Sequence, residues 1–164
     1  MRSAVAIAID GVLRHEIGHV PIPEGLELYR VMEPHYNVVL LADEDNPAYR
    51  DEVMHFLHTE QLTGHSKVSY GNTSSIDAPG RRARQVQHLR NTGHPLAFVI
   101  EADPHKSARL MEIGVNVMHF MHAQYARPQW RPGFDREQTP WDALVEQEIA
   151  LKTTKADDKR IHLG

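Results

Sequence analysis

The chain contains no cysteine. That absence removes disulfide staples, thiolate metal centres and cysteine nucleophiles, and with them most small secreted and thiol-dependent classes. Aromatic residues are scarce, 7% against 41% hydrophobic overall, so a core has to come from aliphatic side chains. No apolar run approaches the roughly 18 residues that a membrane span needs. Only Arg2 precedes the first apolar run, and Asp10 interrupts it too early for a signal peptide. Positive charge is not in excess either. A net charge of −4 and a pI near 6.3 argue against broad binding to a nucleic-acid backbone. The expectation is a cytoplasmic protein of a bacterial or phage-infected host cell. Histidine, by contrast, is plentiful at 12 residues, enough to swing the net charge between about pH 5 and 8.

What is present is a set of short, greasy runs. Residues 4–9 (Ala-Val-Ala-Ile-Ala-Ile) end abruptly at Asp10 and Gly11, as a strand buried on both faces of a parallel sheet would. Residues 36–42 and 96–100 read the same way, each stopping at acids, and 115–120 forms a further strand. Residues 67–70 are a weaker strand. Between them, 24–33, 48–63, 81–91 and 106–113 carry helical patterning, and 141–152 forms a last helix. Strand and helix in strict alternation predict a three-layer, doubly wound parallel α/β sheet. The expected organisation is a core over residues 1–122, with an arm, final helix and polar tail over 123–164. The first crossover, residues 11–22, has room for a flap and none for a cap domain.

In open sheets of this kind ligands bind at the C-terminal rim of the strands, which makes Asp10 a site candidate. Ala8-Ile9-Asp10-Gly11-Val12-Leu13 resembles the first motif of the haloacid dehalogenase-like (HAD) phosphohydrolases, Asp-x-Asp-Gly-(Val/Thr)-Leu after a hydrophobic strand. The resemblance runs from about residue 4 to 120 and implies a HAD-like Rossmannoid sheet of order 5-4-1-2-3. It implies roles too. Ala8 stands where the family has its nucleophilic Asp, and Asp10 matches the general acid and base. Ala42 stands where a Ser or Thr donates to the transferring phosphoryl group. Arg82 or Arg84, within the cluster Arg81, Arg82 and Arg84, matches the cation of the third motif. Glu101 and Asp103 match the acids that, with Asp10, hold Mg²⁺.

The two alanines have a physical consequence. Phosphoryl transfer needs an in-line nucleophile and charge stabilisation on the non-bridging oxygens. Ala8 supplies neither, and it deletes one oxygen ligand of a hard cation, so any Mg²⁺ binding should be weak. Loss of a donor such as the one missing at Ala42 costs about a hundredfold in rate. Each retained feature also has a plainer reading. Asp10 can be a turn residue, Glu101 and Asp103 can cap a helix, and the arginines can be a solvated helix end. Their coincidence at neighbouring strand ends favours a site.

Two histidine pairs, His55 with His58 and His119 with His122, have spacing that on a helix would share a face, but neither has an assignable third ligand. The stretch Tyr125-Ala126-Arg127-Pro128-Gln129-Trp130-Arg131-Pro132 interleaves aromatics and arginines with prolines. It either wraps the domain or reaches a partner through Tyr125, Arg127, Trp130 and Arg131. It is also loosely similar to the tails of small HAD-like proteins of actinobacterial phages. The leading expectation is a phosphatase-like pseudoenzyme that keeps its pocket and binds a phosphate-bearing ligand, such as a nucleotide, or a protein partner or second copy. The alternatives are an active Mg²⁺-dependent phosphatase using Asp10, or with Ala8 an introduced substitution, and an interaction scaffold working through the Trp130 arm.

Overall fold

Ala4–Ala8 form the central strand β1, and every residue in it is fully buried. It can be so because it has a parallel neighbour on each side and a layer of helices on each face. β2 (Asn37–Ala42) pairs along one edge, from Ala4 opposite Asn37 to Ala8 opposite Leu41. β4 (Leu96–Glu101) pairs along the other. β3 (His65–Tyr70) lies outside β2 and β5 (Val117–His119) outside β4, giving an all-parallel sheet of order β3-β2-β1-β4-β5. This is the expected 5-4-1-2-3 order read from the opposite edge. The computed structural model describes residues 2–71, 76–123 and 140–157. The expected arm residues Tyr125, Arg127, Trp130 and Arg131 lie outside the described residues.

The period-two alternation of the strands sorts their side chains into two cores. Val5, Ile7, Val38 and Leu40 face one side, where they meet α1 (Pro23–Met32) through Leu26 and Tyr29 and α2 (Pro47–Thr59) through Val53, Phe56 and Leu57. Ala6, Val39, Leu41 and Val99 face the other, against Val86 and Leu89 of α3 (Ala78–Asn91) and Leu110 of α4 (Pro104–Glu112). A last helix, α5 (Pro140–Asp157), reaches α4 where Gln147 Nε2 donates to the Ala108 carbonyl at 3.4 Å. Among the described residues, no cap domain interrupts the crossovers. Among the described residues, no helix is long and apolar enough to cross a membrane.

Three helices start a little earlier than patterning predicts, for one shared reason. An Asn or Asp caps each, with proline in the first turn: Asn46 accepts from Tyr49 N, Asp77 from Gly80 N and Asp103 from His105 N, at 2.9, 2.8 and 2.8 Å. Such side chains satisfy amide groups that the helix itself leaves unpaired, and proline needs no partner there. α2 stops at Thr59 rather than at 63 because Gln61 takes a left-handed φ of 56°. β5 is shorter than predicted, since only Val117–His119 find ladder partners on β4.

The segment between β1 and α1 closes on itself as a flap. Leu13 and Arg14 amides both donate to the Ile9 carbonyl, His15 N donates to Val20 O, and Ile22 N donates to Leu13 O. The flap lies directly on α1. A Cβ placed on Gly25 would overlap the Val12 carbonyl oxygen outright. Helix propensity alone makes Gly25→Ala stabilising by about 1 kcal/mol. The backbone contact reverses that sign. Gly25→Ala should lower stability by about 1–3 kcal/mol, as overpacking does, measured by urea unfolding; an increase would show that the flap yields freely.

Candidate functional site

β1 and β4 are adjacent, so their C-terminal ends bring Asp10 and Glu101 to the same rim, and β2 adds Asp43. Gly11 lets the chain leave that rim at once: its φ is 95°, and a Cβ there would press on Ala102 at 2.9 Å. The positions for which the HAD resemblance implies a nucleophile and a donor to the phosphoryl group are apolar and closed. Ala8 and Ala42 are fully buried, and both belong to the core beneath α1 and α2.

Asp10 is buried and bound through both oxygens. Oδ1 accepts from Arg14 Nε at 2.6 Å and Oδ2 accepts from the Tyr49 hydroxyl at 2.5 Å. Tyr49 Oη in turn accepts from the Asp43 amide at 3.1 Å, so one phenol ties α2 to the ends of β1 and β2. Burial, with the Asp10 and Asp43 carboxylates beside it, raises Tyr49 well above its ordinary pKa, so it stays a donor. The Arg14 guanidinium packs over the rings of Tyr49 and Phe56, at 5.6 and 5.5 Å. Asp10 is therefore a pin joining strand, flap and helix.

A second network occupies the rim between β2 and β4. Arg82, fully buried in the first turns of α3, donates Nε to Glu101 Oε2 at 2.9 Å and Nη1 to Gln85 Oε1 at 2.5 Å. Its Nη2 donates to Asp43 Oδ1. Lys106, in the first turn of α4, reaches the same Asp43 oxygen at 3.1 Å. Gln85 completes the frame by donating to the Ala42 and Ser69 carbonyls at 3.1 and 2.6 Å. Burial works to raise the Asp43 carboxyl, yet Arg82 and Lys106 outweigh it and hold the group below its ordinary value. Arg82 is raised: burial opposes its charge, and Glu101 with Asp43 more than compensates.

These groups line a cavity of about 220 Å³, walled by Glu16 of the flap, Asp43, Arg81, Arg82, Asp103 and Lys106. A neighbouring cavity of about 360 Å³ shares Glu16 and Asp43 and reaches Asp10 and Tyr49. Of the residues expected from sequence, Asp10, Arg82, Glu101 and Asp103 come to this rim, while Arg84 is exposed and plays no part in the network. The three acids do not gather around one point. Glu101 Oε1 accepts from the Ala102 and Asp103 amides at 2.9 and 3.2 Å, and Asp103 caps α4. Among the described residues, no group of three or more His, Asp or Glu is placed to hold a metal ion.

His55 and His58 are exposed on α2. His119 Nδ1 lies 2.7 Å from Ser107 Oγ, and His122 Nε2 lies 3.0 Å from Glu24 of α1. Four site residues escape sequence patterning: Arg14, Asp43, Tyr49 and Lys106. Asp43 carries the same signal as Asp10, an acid at the end of a buried strand, masked by the turn-prone acids after it. Lys106 and Arg82 carry another. A cation in the first turn of a helix opposes the helix dipole, and its presence there calls for a carboxylate partner or an anion. Arg14 and Tyr49 carry none.

No family model matches this chain, and no curated protein matches it in sequence. Solved structures match in fold. A chain of the Pnkp1/Rnl/Hen1 RNA repair complex matches with a TM-score of 0.58 at 14% identity, over 73% of this chain and 42% of that one. In a second structure of the Pnkp1/Rnl/Hen1 complex the TM-score is 0.60 at 13% identity, over 73% and 46%. This chain thus spans less than half the length of the solved chains it matches. At such identity the likeness is one of fold.

Removing Arg82 strands two carboxylates. Arg82→Met should cost about 3–5 kcal/mol of stability in urea unfolding, whereas Arg84→Ala should leave the unfolding midpoint unchanged; equal effects would show that the network contributes nothing. The Asp43 carboxyl also sets a pH dependence. Its folded pKa lies below the ordinary 3.8, so its contribution is complete above that value and is lost as pH falls beneath it. The stability gap between the wild type and Asp43→Asn should hold steady from neutral pH to about 4 and narrow towards about 2.5. A gap that widens on acidification would contradict the assignment.

Proposed function

We propose that this protein is a non-catalytic, HAD-like relative of phosphohydrolases that binds a phosphate-bearing ligand at the C-terminal rim of its sheet. One observation carries the reading. Arg81, Arg82 and Lys106, from two helix N-terminal segments, line a single cavity beside strand ends whose Ala8 and Ala42 are buried methyl groups. Cations offer oxyanion contacts, and alanines offer no nucleophile and no donor to a transferring phosphoryl group. The cavity binds and the chemistry is missing.

The working-phosphatase alternative asks Asp10 to direct a water. Both Asp10 oxygens are engaged by Arg14 and Tyr49, which weighs against it. The fold it shares with chains of an RNA repair complex makes nucleotides the first ligands to try, preferably as mononucleotides carrying a terminal phosphate. A capless rim leaves the ligand open on one side, so a long ligand or a second protein surface can extend from the same cavity.

The test is phosphate release from a nucleotide panel and an aryl phosphate, with and without Mg²⁺, beside calorimetric binding of the same compounds. The protein should release no phosphate, yet bind at least one nucleotide, with affinity lowered about tenfold or more by Lys106→Ala, the loss expected for a charged hydrogen bond. Turnover by the unaltered protein would overturn the non-catalytic reading. Absence of any binding would remove the ligand and leave a scaffold. Ala8→Asp, alone and with Ala42→Thr, asks whether the missing groups are all that separates this rim from catalysis.

A further inference from the structure

We infer that Asp43 is a resident anion, a carboxylate of the protein's own that occupies the oxyanion position between Arg82 and Lys106 and must swing aside before a phosphate can bind there. The inference rests on the proposed reading of this cavity as an anion site and adds its regulation.

Both cations converge on one atom. Arg82 Nη2 arrives from α3 and Lys106 Nζ from α4, and each meets Asp43 Oδ1. A ligand phosphate held by the same pair would need its oxygen where that atom lies. Charge balance points the same way. Arg82 and Lys106 carry two positive charges, and Glu101 with Asp43 carries two negative ones, so the cluster is neutral as it stands. A phosphate added to it would bring one to two uncompensated negative charges into a partly desolvated site. A phosphate exchanged for Asp43 would restore most of the balance.

The two carboxylates differ in their freedom to leave. Glu101 has a side chain 1% exposed and accepts two backbone amides through its other oxygen. The Asp43 side chain is 22% exposed, borders both rim cavities, and among the described residues its carboxylate meets the two cations Arg82 and Lys106. Its backbone stays anchored, because its amide donates to Tyr49 Oη. Rotation of one side chain therefore uncovers Arg82 Nη2 and Lys106 without moving the sheet. The position is telling: Asp43 directly follows Ala42, the place where the HAD resemblance expects a side chain that touches the phosphoryl group. Here the strand end presents an anion of its own instead.

The experiment titrates inorganic phosphate, and separately a nucleoside monophosphate, into the wild type, Asp43→Asn and Asp43→Ser at constant ionic strength, read by calorimetry and by the unfolding midpoint. Asparagine keeps the shape and the acceptor while removing the charge. Phosphate should bind Asp43→Asn at least tenfold more tightly than the wild type, with a matching concentration-dependent rise in midpoint. Equal affinity for wild type and both variants would overturn the resident anion and leave the anion site standing. No binding to any of the three would overturn the site itself, and the inference with it. A variant that is unfolded without anion supports the inference if phosphate refolds it, and overturns it if phosphate does not.

Discussion

One buried guanidinium organises the C-terminal rim of this sheet. Arg82, 2% exposed, sits where β2, β4 and α3 meet, and it therefore needs carboxylates close at hand. Glu101 and Asp43 supply them from two different strands, and Gln85 holds the far side while reaching the ends of β2 and β3. The spacing of the strand ends at the rim is thus tied to the partners of one buried charge. Remove the guanidinium and two acids are left facing each other across the rim.

A second pin does the same job a few ångströms of chain away. Asp10, Arg14 and Tyr49 join β1, the flap and α2, and the Tyr49 hydroxyl carries the link on to the Asp43 amide. In a working phosphohydrolase, acids at these strand ends need unoccupied lone pairs for a metal, a proton or a phosphoryl group. Here protein groups take them. The same residue types that suggest catalysis serve as internal cross-links, and Arg81 and Lys106 line the cavity beside them.

The fold was legible in the sequence to a large degree, and the reason is that its signals are local. A run such as Val38 to Ala42, short, apolar, β-branched at its start and bounded by turn-prone acids, reads as a buried strand. Three helix starts, at Pro47, Ala78 and Pro104, were misjudged where Asx caps and proline carry the helix further towards its N-terminus than side-chain periodicity does. The site was legible only in part. Asp10, Arg82, Glu101 and Asp103 could be found from their places at strand and helix ends. Arg84 could not be separated from Arg82, since the choice depends on which side of α3 faces the rim.

The sequence by itself determined the alternation of strands and helices and the absence of a side-chain oxygen at residues 8 and 42, because an alanine has the same deficiency in any fold; the strand order came with the HAD resemblance. What only the tertiary structure decided is which charges answer which. Asp43 and Lys106 are far apart in the chain, as are Asp10 and Tyr49, and nothing in their local surroundings specifies the partner. Ion pairs within a closed rim are settled by geometry and desolvation, since a buried charge takes whatever counter-charge the packing brings within reach. That is why the partners of Asp10, Glu101 and Asp103 within the protein, which are arginines, amides and a phenol, could be read only from the fold.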